Sequence, residues 1–265
     1  MTRWSLLLLL AAALSACDDG FSPRVDDTRA FALYGTLDGR TARQAIRVQD
    51  LAGSVLDTPD RLPVTVTSTE LTTGRTTAWR DSVVTLPDGI RAHLFVADLA
   101  VAPGDAHRIE ALRDADGARS VVTVTIPSSV VTSGPSPSAS SNAAPVVLSV
   151  ASGRLEGPRV RFVVRRVDTD DSASFLTQPT PQEGGGQASF LSFLDTAELQ
   201  ATSLLYGSTP GDPVFVGAQL EGVVVGTAPT PVIGGVGSIG WVYPISLSIP
   251  FPTQTVTRVG FVDGR

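Results

Sequence analysis

Apolar and polar residues alternate with a period of two through much of the first half of the chain. In "LPVTVTST" Val64 and Val66 alternate with Thr65 and Thr67, and in "SVVTVTIP" Val122, Val124 and Ile126 fall on one side. Successive side chains of a strand point to opposite faces, so this period predicts half-buried strands. Five further runs read the same way: "RAFALYG", "QAIRVQD", "TTAWRDSVVTL", "IRAHLFVADL" and "AHRIEALR". Turn signals punctuate them at Asp38-Gly39, Gly74, Asp88-Gly89, Pro103-Gly104 and Asp116-Gly117. About seven short strands in roughly a hundred residues predict an antiparallel β-sandwich over residues 28–127.

The pattern breaks at "PSSVVTSGPSPSASSNAAP". A Ser/Pro/Ala stretch with no aromatic residue has little to bury, and residues 128–145 are expected to be a linker. Residues 146–265 are expected to form a second β-rich domain, with strands in "VVLSVAS", "RVRFVVRRVD", "VFVGAQLEGVVVG", "GSIGWVYPISLSIP" and "TVTRVGFV". Pro244 and Pro250 belong at edges or strand ends, because proline has no ladder N–H. "DTDDSASFLTQPTPQEGGGQ" reads as an exposed loop. One short helix is expected in "SFLDTAELQATSLLYG", with Asp195 as N-cap, Glu198 completing a capping box, Leu194, Leu199 and Leu205 at near-helical spacing, and Gly207 at the end. The fold class is therefore mainly β.

The first residues carry an address. Arg3 precedes an apolar segment, residues 6–14, which suits a signal peptide and falls short of the roughly 20 residues that span a bilayer. The segment closes in Leu14-Ser15-Ala16-Cys17, which resembles the lipobox of bacterial lipoproteins. That resemblance implies a signal peptide over 1–16, lipid on the Cys17 thiol, and an irregular tether over 17–27. Two or three acyl chains, at about 0.8 kcal/mol per buried methylene, hold a protein firmly on a membrane. Asp18 and Asp19 are the sorting signal. Under the enterobacterial rule they imply retention on the periplasmic face of the inner membrane; in Bacteroidota-type bacteria they resemble the signal for the outer membrane and the cell surface.

Cysteine use then narrows the chemistry. Cys17 is the single cysteine of 265 residues, so a lipidated Cys17 leaves no thiol for a disulfide, a metal or a nucleophile. Every basic residue is arginine, and losing Arg3 with the signal takes the net charge from −6 to −7. An acidic chain argues against nucleic acid, which needs a clustered basic face. In "RVRFVVRR", Arg159, Arg161 and Arg165 alternate with Val160, Phe162 and Val164, the pattern of one solvated and one buried strand face.

Candidate sites are few. His93 and His107 both lie in predicted strands, and no Gly-x-Ser-x-Gly elbow accompanies them. Asp114 and Asp116 resemble the start of a calcium loop, but Thr125 stands in the closing position and a hairpin turn is the simpler reading. Asp168, Asp170 and Asp171 form a second weak calcium candidate. The runs 184–187 and 234–240 are glycine-rich without the Gly-Lys-Ser/Thr ending of a phosphate loop. Trp79 and Trp241 are candidate sugar platforms, though a buried tryptophan is the commoner role in a sandwich. No cofactor and no catalytic residue is expected.

Taken together, "SACDD", "FALYGTLDG", "VTVTSTELTTG" and "HLFVADLAVAPGDAHRIEALRDADGARSVVTVTIP" resemble the N-terminal module of a domain-of-unknown-function family of envelope lipoproteins from Bacteroidota-type bacteria. The likeness extends more loosely to carboxypeptidase-regulatory-like, transthyretin-like and other Ig-like sandwiches. It covers about the first half of the chain and implies an outer-membrane location, with a role beside transport or surface-binding machinery and an envelope protein as partner. The expectation is a lipid-anchored, non-enzymatic binding or scaffolding module; the alternative is a carbohydrate-binding or carbohydrate-processing surface protein.

Overall fold

The structure is a computed structural model that describes residues 28–52, 59–87, 89–137, 143–150, 153–182, 188–207, 209 and 211–264. Cys17, Asp18 and Asp19, with the expected signal peptide and tether, lie outside the described residues. The fold is mainly β, as the alternating pattern predicts. The first half supplies β1 (Phe31–Asp38), β2 (Arg43–Asp50), β3 (Val64–Glu70), β4 (Thr76–Ala78), β5 (Arg80–Thr85), β6 (Arg91–Asp98), β7 (Ala106–Arg113) and β8 (Arg119–Thr125). The second supplies β9 (Val131–Pro137), β10 (Ala143–Val150), β11 (Arg154–Arg165), β12 (Ser172–Thr177), β13 (Thr180–Gln182), β14 (Ala188–Phe193), β15 (Val214–Val225), β16 (Thr230–Pro231), β17 (Gly235–Ser248) and β18 (Val262–Asp263). Helix α1 (Leu194–Tyr206) follows β14, and a short helix α2 (Thr253–Arg258) precedes β18.

Three sheets organise the described residues. A ten-stranded sheet follows the order β12-β11-β15-β17-β1-β2-β6-β5, with β16 paired to β17 and β18 to β15. Two four-stranded sheets, β4-β3-β7-β8 and β13-β14-β10-β9, complete the fold. The two halves of the chain are joined inside the long sheet. β1 runs parallel to β17, with Phe31 opposite Gly235 and Asp38 opposite Val242, so the N-terminal strands and the C-terminal strands share one ladder. The expected N-terminal sandwich is thus antiparallel within itself and closed by a strand from the far end of the sequence.

One face of the long sheet is mainly apolar, with Gln44 and His93 as buried polar exceptions. The register puts Ile46 and Val48 beside Gly35 and Leu33, Leu37 beside Trp241, Leu220 beside Leu247, and Phe162 beside Ala218. Two bulges keep this face continuous. β11 gains a residue between Glu156 and Arg159, and β15 gains one opposite the step from Val163 to Val164, so Leu155, Val160, Phe162 and Val164 all point the same way. The first four-stranded sheet covers one end of this face around Leu33, Ile109, Val122 and Ile239. The second, with α1 and α2, covers the other around Phe162, Phe190, Phe215 and Phe251. Val131, Val150, Leu155 and Leu247 pack against both cores and join them.

Several expectations change. Residues 128–145 hold β9 and the start of β10, where a linker was expected, and residues 168–187 hold β12 and β13, where a loop was expected. Pro244 lies inside β17 instead of at its end, but the pairing with β1 stops at Val242, so at Pro244 the strand is paired only with β15 through Val223. α1 begins two residues earlier than expected, with Phe193 at the N-cap and no side-chain cap; the Asp195 carboxylate accepts the Thr196 N–H at 2.8 Å. Its buried stripe is Leu194, Ala197 and Ala201, while Leu199 is 69 % exposed, because small alanines let the helix lie close to the sheets. "TVTR", the start of the predicted strand "TVTRVGFV", falls in α2 after Pro252; burying Thr255 and Val256 overrides the β preference of these residues.

Candidate functional site

The uncovered face of the long sheet carries a cleft of about 500 Å³ lined by Arg40, Glu156, Arg159, Glu221, Val223, Val225 and Val242, with Gly157 and Gly222 at its base. Its origin is the β11 bulge. Glu156 pairs with Val223 and Arg159 with Glu221, so two residues three apart in sequence stand side by side on the open face. Val223 faces Pro244 and Val225 faces Val242, which gives an apolar floor. Arg40 arrives from the β1–β2 turn. The Gly39 N–H donates to the Val242 carbonyl at 2.9 Å, and a Cβ at position 39 would meet the Tyr243 ring at 2.3 Å, so glycine is what lets this turn lie on β17.

The charges of the cleft are largely paired. Arg40 grips Asp38 through Nε at 2.9 and 3.0 Å and through Nη2 at 2.6 Å, and its guanidinium holds the Asp38 carboxyl below its ordinary value. Arg161 Nε donates to Glu221 Oε1 at 2.6 Å and lowers the Glu221 pKa in the same way. Arg154 pairs with Glu156. The Arg159 guanidinium makes no hydrogen bond or ion pair among the described residues, and acts on Glu221 only through its field. The solvated-face reading of the arginines in 159–166 therefore stands for Arg159, and Val160, Phe162 and Val164 are fully buried as that reading requires.

The histidines form a different arrangement. His93 is 5 % exposed, and its Nδ1 lies 2.8 and 3.0 Å from the two carboxylate oxygens of Asp81. Asp81 Oδ2 also accepts the Leu62 N–H at 2.9 Å. A carboxylate that orients an imidazole is the geometry of a general base, yet the Nε2 that would work is buried on the core side with no partner among the described residues. The pair ties edge strand β5 and the segment at Leu62 to β6. His107 is fully buried, with Nε2 3.6 Å from Asp105 Oδ2. The sequence placed both histidines on strands and gave no sign of the Asp81 partner; the β5–β6 register, which sets Val83 opposite His93, is what brings Asp81 within reach.

The remaining candidates have structural partners. Trp79 and Trp241 are each 6 % exposed and belong to the first core, so neither faces a groove. Asp116 Oδ2 accepts from Arg113 Nη1 at 2.9 Å and Oδ1 from the Ala118 N–H, while Asp114 accepts from the Thr65 hydroxyl at 3.0 Å, which makes this the hairpin turn between β7 and β8. Asp168 is held by Arg166 at 3.1 and 3.2 Å. Among the described residues no group of three or more His, Cys, Asp or Glu is placed to hold a metal ion, and no helix is long and apolar enough to cross a membrane.

No family model matches the chain, and no curated protein matches it. Among solved structures it is similar, at a TM-score of 0.26, to the pullulanase of Anoxybacillus sp. LM18-11, alone and complexed with maltotriose. Identity is 8 % and 7 %, and each likeness covers 77 % of this chain and 25 % of that one, so the chain spans about a quarter of the enzyme's length. A likeness of this order fixes neither fold nor activity.

Proposed function

We propose that this protein is a lipid-anchored envelope protein that acts as a non-enzymatic binding module, held by acyl chains on Cys17 and presenting the open face of its long sheet. The observation that carries the reading is the Leu14-Ser15-Ala16-Cys17 sequence, placed at the end of an apolar segment and before a folded β body. Asp18 and Asp19 support the outer membrane as destination. The inward-facing imidazoles and the preformed cleft on the opposite face support binding over catalysis. A tether of about ten residues, at up to roughly 3.3 Å each, would let the body stand some 30 Å from the lipid surface.

Density-gradient separation of the two membranes, comparing the full chain with Cys17→Ser, tests the location. The wild type is expected in the outer-membrane fraction and the variant away from both membranes. Inner-membrane recovery of the wild type would contradict the outer-membrane assignment, and identical distributions of the two proteins would contradict the anchor.

A further inference from the structure

We infer that the cleft on the open face is a binding site for a small organic monoanion, a carboxylate on a compact apolar body, whose charge is taken by Arg159. The inference deepens the binding-module reading and is independent of the lipid anchor. It rests first on how the cleft is made. A one-residue bulge sets Gly157 and Pro158 of β11 against Gly222 alone and puts Glu156 and Arg159 together on the solvent side of a sheet whose other side packs on the core. Bulges of this kind re-aim side chains beside functional sites. The resulting volume of about 500 Å³ lies within the range of small-molecule sites, roughly 300–1,000 Å³.

Charge selects the ligand. Asp38, Glu156 and Glu221 are each taken by one arginine, namely Arg40, Arg154 and Arg161, and Arg159 is left as the one uncompensated charge among these seven residues. A single surplus positive charge in a chain of net −6 suits one negative charge. The planar guanidinium offers a carboxylate two parallel donors. Apolar area selects the rest of the molecule. Val223, Val225 and Val242 form a floor beside that arginine, and the Pro244 ring next to Val223 brings no backbone donor for a polar ligand group. Ligand carboxylate toward Arg159 and ligand body on the valines is the orientation this arrangement favours.

The test is a titration of the full chain, in lipid nanodiscs, with cyclohexanecarboxylate and with its uncharged amide, followed by ligand-observed NMR and repeated with Arg159→Gln and Val223→Asp. The acid is expected to bind and the amide to bind at least roughly tenfold more weakly, the ratio that a charge-assisted hydrogen bond supplies. Arg159→Gln is expected to erase the preference for the acid with the thermal midpoint unchanged, since this side chain has no structural partner to lose. Val223→Asp is expected to weaken both compounds. Equal binding of acid and amide by the wild type, an undiminished preference in Arg159→Gln, or no binding of the acid in the millimolar range would each overturn the inference. None of these results bears on the acylation of Cys17.

Discussion

Arg113 and Asp50 clamp the two sheets of the first core together. Arg113 ends β7 in a four-stranded sheet and Asp50 ends β2 in the long one, and the guanidinium donates to the carboxylate through Nη2 at 2.6 Å and Nε at 3.2 Å. The side chains are 13 % and 18 % exposed. The same guanidinium lies 5.3 Å above the Phe31 ring, donates to the Ala30 carbonyl and reaches Asp116, so one side chain ties β7, β2, β1 and the β7–β8 turn. Removing it leaves the part-buried Asp50 carboxylate without its ion pair, held among the described residues only by the Ala52 N–H at 2.9 Å. Arg113→Ala is expected to cost about 2 kcal/mol in urea unfolding. In a cycle with Asp50→Ala the pair should show a coupling of at least about 0.5 kcal/mol, and strictly additive single losses would refute the clamp.

The parallel contact of β1 with β17 depends on Gly237. Its φ is +94°, and a Cβ there would sit 2.2 Å from the Leu33 carbonyl oxygen. Both the strain and the clash fall on backbone, which cannot rotate away. Gly237→Ala should lower stability by more than about 1 kcal/mol and speed hydrogen exchange of the amides in β1 ahead of those in β7. Unchanged protection of Leu33 and Gly35 would show that the seam is not held as described.

The two faces of α1 should respond oppositely. Leu199 projects into solvent, so Leu199→Ser is expected to change stability by no more than about 0.5 kcal/mol. Ala201 is fully buried against the second core, and Ala201→Leu should destabilise by about 1–3 kcal/mol through overpacking. Thermal unfolding of the two variants separates them, and the reverse ranking would mean that the leucine face is the buried one.

Acid should act through the carboxylates on the open face. Glu221 is lowered from its ordinary 4.5, chiefly by its hydrogen bond from Arg161, and Asp38 from 3.8 by its hydrogen bonds from Arg40. A depressed carboxylate stabilises the fold above its unfolded pKa and loses that contribution as pH falls through the folded value. Stability from these pairs is therefore level above pH 4.5 and declines below it. Solvent screening keeps the effect small for pairs this exposed. The urea midpoint of Glu221→Gln should lie nearest that of the wild type in acid and fall behind it near neutrality; a constant gap across the range would contradict this.

Legibility of the sequence followed, for most strands, the number of neighbours a strand has. All eight strands of the first half stand where alternation or a short β-rich run marked them, because strands with one face on a core must write that period in their residues. Of the missed strands, β9, β12 and β13 are each at the edge of a sheet, whereas β14, whose last two residues fell in the expected helix, lies between β13 and β10, and β16 is two residues paired to β17. An edge strand needs one partner and tolerates serine and proline, so Pro135 and Pro137 hid β9. The parallel seam could not be read at all, since it joins residues some two hundred apart and leaves no local mark. Of the cleft, the alternation of 159–166 revealed an exposed arginine face; that Arg159 stands without an ion pair among the described charges of the cleft depends on the bulge and on Arg40 coming from the far half of the chain.

The proposed lipid anchor depends on the chemistry of Cys17. Intact-mass and peptide mass spectrometry of the mature protein, purified from envelopes of a lipoprotein-processing bacterium, should find a chain beginning at Cys17 with diacylglyceryl on the thiol and, in the fully processed form, an acyl group on the new amine. A mature chain that begins elsewhere, or one whose Cys17 carries a free thiol, would contradict it.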